Sequence, residues 1–156
     1  MTFSLGHPTR RRPPFKFSAY TRVGFSDTDA QGIVYYGRYL PYFDHARVEY
    51  SRHLGLLDHE LGDCEFVMRA CEVLYEAPAR FDDLLEVFVR TRRIGRSSVA
   101  SEYCAVRVAD GTVMCTAEQT LVLVDLAERR PFPVPESYRN VLAEFEGADL
   151  ELAVAR

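Results

Sequence analysis

The first regular pattern along the chain has a period of two. Phe15, Phe17, Ala19, Thr21 and Val23 fall on one side of residues 15–25, which predicts a strand with one buried face. Residues 26–37 carry turn-forming Ser, Asp, Thr, Gln and Gly, interrupted by the apolar run Ile33-Val34-Tyr35-Tyr36. The period then changes. Leu40, Phe43, Tyr50 and Leu54 follow a helical stripe broken by Arg47, and Tyr39, Tyr42, Ala46 and Val48 widen it. This predicts a helix from about Arg38 to Leu54 that is wrapped on several sides. Pro41 is tolerated in a first turn, and Gly55 is a natural stop.

After the helix the chain reads as strand. Residues 65–76 are rich in Val, Phe, Met and Leu, and residues 78–83 form a connector. Leu85, Val87 and Val89 alternate with Glu86, Phe88 and Arg90, and Gly95 marks a turn. Residues 97–108 alternate again and meet Ala109-Asp110-Gly111, a hairpin signal. Residues 112–125 make a long last strand, Pro131, Pro133 and Pro135 end the sheet, and residues 136–146 suggest a short helix. One helix followed by four closely connected strands indicates an α+β fold with a mainly antiparallel sheet curled around that helix. The expected organisation is a disordered basic arm over residues 1–14, a core domain over 15–130 and a C-terminal extension over 131–156.

Composition narrows the class. The 156 residues are 47% hydrophobic, enough for one domain with its own core. The net charge of −4 argues against nucleic-acid binding. No apolar run approaches the ~18 residues of a membrane-spanning helix. Arg10-Arg11-Arg12 lacks the apolar stretch that would make it part of a signal peptide. Cys64, Cys71, Cys104 and Cys115 lie outside any CxxC spacing. They are expected to be buried, reduced thiols of a cytoplasmic protein. No His pair has metal-ligand spacing, and no cofactor is expected.

The most informative stretch is Asp27-Thr28-Asp29-Ala30-Gln31-Gly32. It begins like a calcium loop, but the twelfth position, which should be a bidentate Glu, is Arg38, and a strand precedes it. An Asx-type turn is the plain alternative. The position of the loop adds a third reading. It stands before a long helix, whose first N–H groups lack partners and carry partial positive charge. A carboxylate beside an apolar wall and facing such donors suits acyl transfer. The donors stabilise an oxyanion, and the carboxylate attacks the carbonyl or activates water.

The run from Phe25 to Tyr39, FSDTDAQGIVYYGRY, resembles the signature of hotdog-fold acyl-CoA thioesterases. It is most similar to the 4-hydroxybenzoyl-CoA thioesterase type, which includes the Tol-Pal-associated thioesterases. The resemblance continues through Phe43-Asp44-His45-Ala46-Arg47-Val48-Glu49-Tyr50 and more weakly to about residue 126. It implies a long helix wrapped by an antiparallel sheet and hydrolysis of a small, aryl or medium acyl-CoA. It makes Asp29 the catalytic carboxylate and the backbone N–H of Tyr36, beside Gly37, the group that polarises the carbonyl. Asp27 would shape the loop. Some relatives carry His where this chain has Tyr36, which points away from a His-assisted mechanism. Asp44 falls where the hydroxybenzoyl enzyme binds a phenol. The family builds its sites between subunits, so a homodimer or homotetramer is implied. An acyl carrier protein as thioester carrier, or a non-catalytic acyl-binding module, are the alternatives.

Four cations and two hydroxyls, Arg90, Arg92, Arg93, Arg96, Ser97 and Ser98, cluster near one turn. Arginine forks suit the phosphates of coenzyme A, with Arg96 and Ser97 the favoured pair. His45, His53 and His59 are expected to pack rather than catalyse. Glu49 is expected on a solvated face. Tyr35, Tyr36, Tyr39, Tyr42 and Phe43 are either core or an acyl pocket.

Overall fold

A computed structural model describes residues 3–153. Ten elements follow in chain order: β1 (Gly6–Pro8), β2 (Phe17–Arg22), α1 (Tyr39–His53), β3 (Cys64–Tyr75), β4 (Leu84–Ile94), β5 (Ser98–Arg107), β6 (Val113–Asp125), β7 (Arg130–Pro131), α2 (Glu136–Glu146) and β8 (Glu151–Leu152). The main path of the sheet runs β1-β2-β4-β5-β6-β3 and is antiparallel throughout. β7 adds to β6, and β8 adds to β4 in parallel. The sheet curls around α1, the hotdog arrangement.

Alternation in the strands builds the concave face. One row of paired residues runs Ala19, Val87, Ala105, Cys115 and Tyr75 across five strands. The next row is Phe17, Val89, Tyr103, Ala117 and Val73. Against these rows α1 buries Tyr39, Tyr42, Phe43, Ala46 and Tyr50. Phe43 is fully buried and its ring lies 4.9 Å from that of Tyr103. Cutting it to Ala should cost about 3–5 kcal/mol. Pro41 sits in the first turn of α1, and Gly55, with φ +71°, turns the chain away after its end.

The expected disordered arm is corrected. Residues 1 and 2 lie outside the described residues, as do residues 154–156 of the C-terminal extension. Within the rest of the arm, β1 pairs with β2, Gly6 opposite Ala19. The chain then crosses to the convex face of the sheet. There Phe15 packs on Phe88, Cys104 and Val106, and the Arg11 and Arg12 guanidinium groups lie over the Phe88 ring. Arg11 also pairs with Glu86, which accepts a 2.7 Å bond from Ser18 Oγ. A carboxylate and a phenyl ring that alternation places on the outer face thus hold the arm. No local pattern in the arm discloses partners some seventy residues away.

The helix is also less fully wrapped than expected. Leu40 and Val48 are exposed, because the sheet covers only one side of α1. Glu49, expected in solvent, is 5% exposed. It pairs with Arg52 and accepts from the Leu5 N–H at 3.3 Å, so the arm buries it. Cys64, Cys104 and Cys115 are buried free thiols, whereas Cys71 is exposed. Its strand, β3, is the long edge of the sheet and also exposes Val67, Met68 and Leu74. At the far end of α1, the extension returns through α2, which buries Leu142 and Glu146. No helix among the described residues is long and apolar enough to cross a membrane.

Candidate active site

Beyond Arg22 the chain leaves the sheet, held by a Val23–Asp83 backbone bond of 2.9 Å. A 3₁₀ turn over Phe25–Asp27 follows. The Asp27 carboxylate accepts from Gly24 N–H and Tyr42 OH, each at 2.8 Å, and from Arg38 Nε at 3.0 Å. Partial burial pushes this carboxyl up, but the three donors outweigh it and hold it below its ordinary value. Asp27 therefore ties the loop to the start of α1.

Asp29 stands differently. Its N–H donates to Ile33 O at 2.9 Å, its carbonyl accepts from Gly32 N–H at 3.0 Å, and Gly32 takes φ +76°. Its Oδ1 accepts from the Gln31 N–H at 2.8 Å, an Asx turn. Its other oxygen has no protein donor among the described residues. The plain turn and the free carboxylate therefore coexist in one side chain. Val34 N–H donates to Ala79 O at 2.8 Å and fastens the loop to the connector after β3. Together they enclose a cleft of ≈ 310 Å³, lined by Asp29, Gln31, Ile33, Val34, Tyr36, Tyr39, Tyr75, Glu76, Ala77 and Pro78.

A second 3₁₀ turn, Tyr36–Arg38, runs directly into α1. Among the described residues neither the Tyr36 nor the Gly37 N–H has an acceptor, as a helix start requires. Tyr75 OH donates to Tyr36 O at 3.0 Å and fixes the orientation of the peptide that follows Tyr36. Burial, with the nearby Cys115, pushes the Tyr39 phenol up to about 12, so it stays neutral as a wall of the cleft. One cleft is thus lined by Asp29, whose carboxylate has a spare oxygen, and by Tyr36, whose N–H at the helix start is free. That set can add water to a carbonyl and stabilise the resulting oxyanion.

The other candidate residues lie elsewhere in the protomer. Asp44 is exposed on α1 and paired with Arg47 at 3.0 Å, outside the cleft. Arg47 is itself held by Gln119 Oε1 at 2.7 Å. Arg96 and Ser97 form the β4–β5 turn, at the opposite end of β4 from the cleft, roughly 35 Å at ~3.3 Å per residue. The expected four-cation patch is corrected: Arg90 is taken by Glu102, and Arg92 by Glu102, Glu118 and Glu151. Alternation and pairing set these acids opposite the arginines on the convex face. His45 bonds Tyr20 O, His53 packs between Phe17 and Phe145, and His59 meets Ser137 and Tyr138. None of the three lines the cleft. Tyr42 and Phe43 belong to the core, while Tyr36 and Tyr39 line the cleft. Tyr75 and Glu76 were not singled out from sequence. The only available signal is topological, since the end of β3 leads into the connector that packs on the motif loop.

Comparison with known proteins decides the family. The profile of the thioesterase-like superfamily matches residues 23–143. The chain belongs to this superfamily. Its acyl-CoA thioester hydrolase relative YbgC from Escherichia coli O6:H1 is 35% identical over 127 residues, 80% of this chain and 92% of the relative. The acyl-CoA thioesterase YbgC of Haemophilus influenzae is 32% identical, covering 79% and 91%. Among solved structures, a 1,4-dihydroxy-2-naphthoyl-CoA thioesterase from Synechocystis superimposes with a TM-score of 0.75 at 20% identity, covering 83% of this chain and 96% of that one. This likeness shows the fold. A probable thioesterase from Bartonella henselae gives a TM-score of 0.68 at 29% identity, covering 76% and 98%. As a member of the superfamily, the protein is a thioester hydrolase.

Proposed function

We propose that this thioesterase hydrolyses an acyl-CoA thioester, with Asp29 as the reacting carboxylate. The observation that carries the reading is the shared cleft: Asp29, whose carboxylate keeps a spare oxygen, and Tyr36, whose N–H has no acceptor among the described residues, line one largely apolar space. The thioester carbonyl accepts from the Tyr36 N–H, beside Gly37. Asp29 takes a proton from water as the water oxygen adds, or adds itself and is then released by water. On either route the C–S bond breaks, CoA leaves as its thiol and the acyl group leaves as a carboxylic acid. The YbgC relatives, named as acyl-CoA thioesterases, support CoA as the carrier.

The working unit in this reading is a dimer. β3 offers a twelve-residue open edge with apolar side chains, and such an edge calls for cover. Its Tyr75 end borders the cleft, and its Cys64 end lies toward the Arg96–Ser97 turn. Antiparallel pairing of two β3 edges brings the partner's Arg96 to the cleft end, where CoA phosphates extend. Asp44, on the uncovered side of α1, then faces the subunit boundary and the acyl group.

A panel of aliphatic and aryl CoA esters, read by thiol release, tests the activity. Turnover of at least one ester is expected, and no release across the panel refutes the reading. Light scattering is expected to give a dimer or a multiple of it. A stable, active monomer refutes the shared site.

A further inference from the structure

A second acidic residue, the exposed Glu76, lines the cleft, and the proposed reaction does not use it. Glu76 follows the last residue of β3. Its N–H and that of Ala77 both donate to Met114 O, at 2.9 and 3.2 Å. Two residues opposite one is the pattern of a β-bulge, which breaks alternation and re-aims a side chain. Here it follows Tyr75 on the concave face, and Glu76 lines the same cleft as Asp29. Its charge is felt by the buried Cys115 thiol, which is pushed up to about 12 by burial, then by Cys104, Cys71 and Glu76.

No Lys, Arg or His lines this cleft. Among the described residues neither Asp29 nor Glu76 forms an ion pair, and the Asp29 carboxylate accepts only the Gln31 N–H. An acyl end that enters this cleft therefore meets two acidic residues and no cation of the same protomer. One of them, Asp29, is required by the proposed chemistry. Glu76 is not, and its charge acts on whatever the acyl group carries.

We propose that Glu76 is a specificity-determining residue that makes the cleft reject acyl groups ending in a carboxylate and favour uncharged ones. This rests on the acyl-CoA reading above. Discrimination of this kind works by repulsion rather than by a better fit. It acts on the acyl end alone, because the CoA moiety is identical in every ester compared.

Valeryl-CoA and glutaryl-CoA have five acyl carbons each and differ in a terminal carboxylate. The wild-type enzyme is expected to show kcat/KM at least tenfold higher for valeryl-CoA. Glu76→Gln should narrow that ratio about fivefold, and Glu76→Asp should keep most of it. Raising the salt to 1 M should also narrow the wild-type ratio, since screening then acts over ~3 Å; a purely steric preference would not respond. The thioethers S-pentyl-CoA and S-(4-carboxybutyl)-CoA, which cannot be hydrolysed, supply a parallel ratio of Kd values by calorimetry. Equal ratios in wild type and Glu76→Gln, with turnover and binding present, overturn the role of Glu76 and leave the thioesterase reading standing. If neither thioether binds and neither ester turns over, this inference falls, and the acyl-CoA reading falls with it where no other ester of the panel is hydrolysed.

Discussion

The two ends of α1 each hold a carboxylate, and the two are built for opposite purposes. At the N-terminal end Asp29 is half-buried and keeps one oxygen without a protein donor, facing a cleft. At the C-terminal end Glu146 is 0% exposed. Its Oε1 accepts from Tyr50 OH at 2.7 Å and from the Thr91 N–H at 3.2 Å, locking α2 onto α1 and β4. The contrast repeats within the motif loop, where Asp27 is saturated by three donors and Asp29 is not. Among the described residues Glu146 also leaves Oε2 without a donor, but that atom is sealed from solvent among packed elements. A free carboxylate oxygen can do chemistry only where it opens on a cleft. Residue type and spacing alone do not separate these cases.

The largest expected effect tests that division directly. Asp29→Asn keeps the turn-forming oxygen and loses the charge. Turnover on the best CoA ester should fall about 10²–10⁴-fold, the range for loss of a positioned acid–base group, with the melting temperature little changed. Near-wild-type turnover would show that the free oxygen is not the reacting group. Asp27→Asn should behave in reverse. It removes charge-assisted bonds to Arg38 and Tyr42 and should cost about 1–3 kcal/mol of stability. Its loss of activity should be smaller than that of Asp29→Asn, and denaturant melts paired with kinetics measure both.

Opposite pH dependence sharpens the comparison further. The folded state holds Asp27 below its ordinary value of 3.8. Its contribution to stability is complete above that value and is lost as the pH falls through the folded value. Glu146 is raised from 4.5, first by burial, which outweighs the bonds from Tyr50 and Thr91. Its contribution is complete below 4.5 and is lost as the pH rises through the folded value. The melting temperature of Glu146→Gln relative to wild type should therefore climb as the pH is raised from about 4.5, whereas that of Asp27→Asn should fall over acidic pH and then level. Melts across pH 3–8 decide it. A flat difference for Glu146→Gln would mean that the buried carboxyl titrates normally.

Local patterns made most of the fold legible. The 3.6 and 2.0 periods located α1, β2, β4 and β5, apolar strand-like runs marked β3 and β6, the Asp110-Gly111 step located a hairpin, and the prolines before residue 136 preceded α2. The motif loop was legible through its resemblance to the hotdog thioesterase signature, since turn residues ahead of an apolar helix alone left a plain Asx turn open. What was missed depends on partners distant in sequence. The arm has no periodicity of its own and is fixed by Glu86 and Phe88. Glu49 reads as a surface acid until the arm covers it. The arginine patch reads as free cation until pairing across β4, β5 and β6 supplies Glu102 and Glu118. Glu76 enters the cleft only because a bulge interrupts alternation. Each miss is a side chain whose surroundings are set by sheet register rather than by neighbours along the chain.

The smallest expected effect concerns how the amides at the start of α1 are aimed. Tyr75 touches neither proposed reacting group; it bonds Tyr36 O and so orients the peptide between Tyr36 and Gly37. The Tyr36 N–H belongs to the preceding peptide and is reached only through this one. Tyr75→Phe keeps the ring in the cleft wall and removes a single hydrogen bond worth about 1 kcal/mol. If that bond serves aim rather than stability, kcat should fall roughly fivefold while KM and melting temperature stay near wild type, because substrate still enters the same apolar space. A rise in KM with unchanged kcat would instead make Tyr75 a part of the pocket wall. The helix start would then hold its own geometry through Asp27, Arg38 and Tyr42, and the N-terminal end of α1 would be as firmly built as the end closed by Glu146.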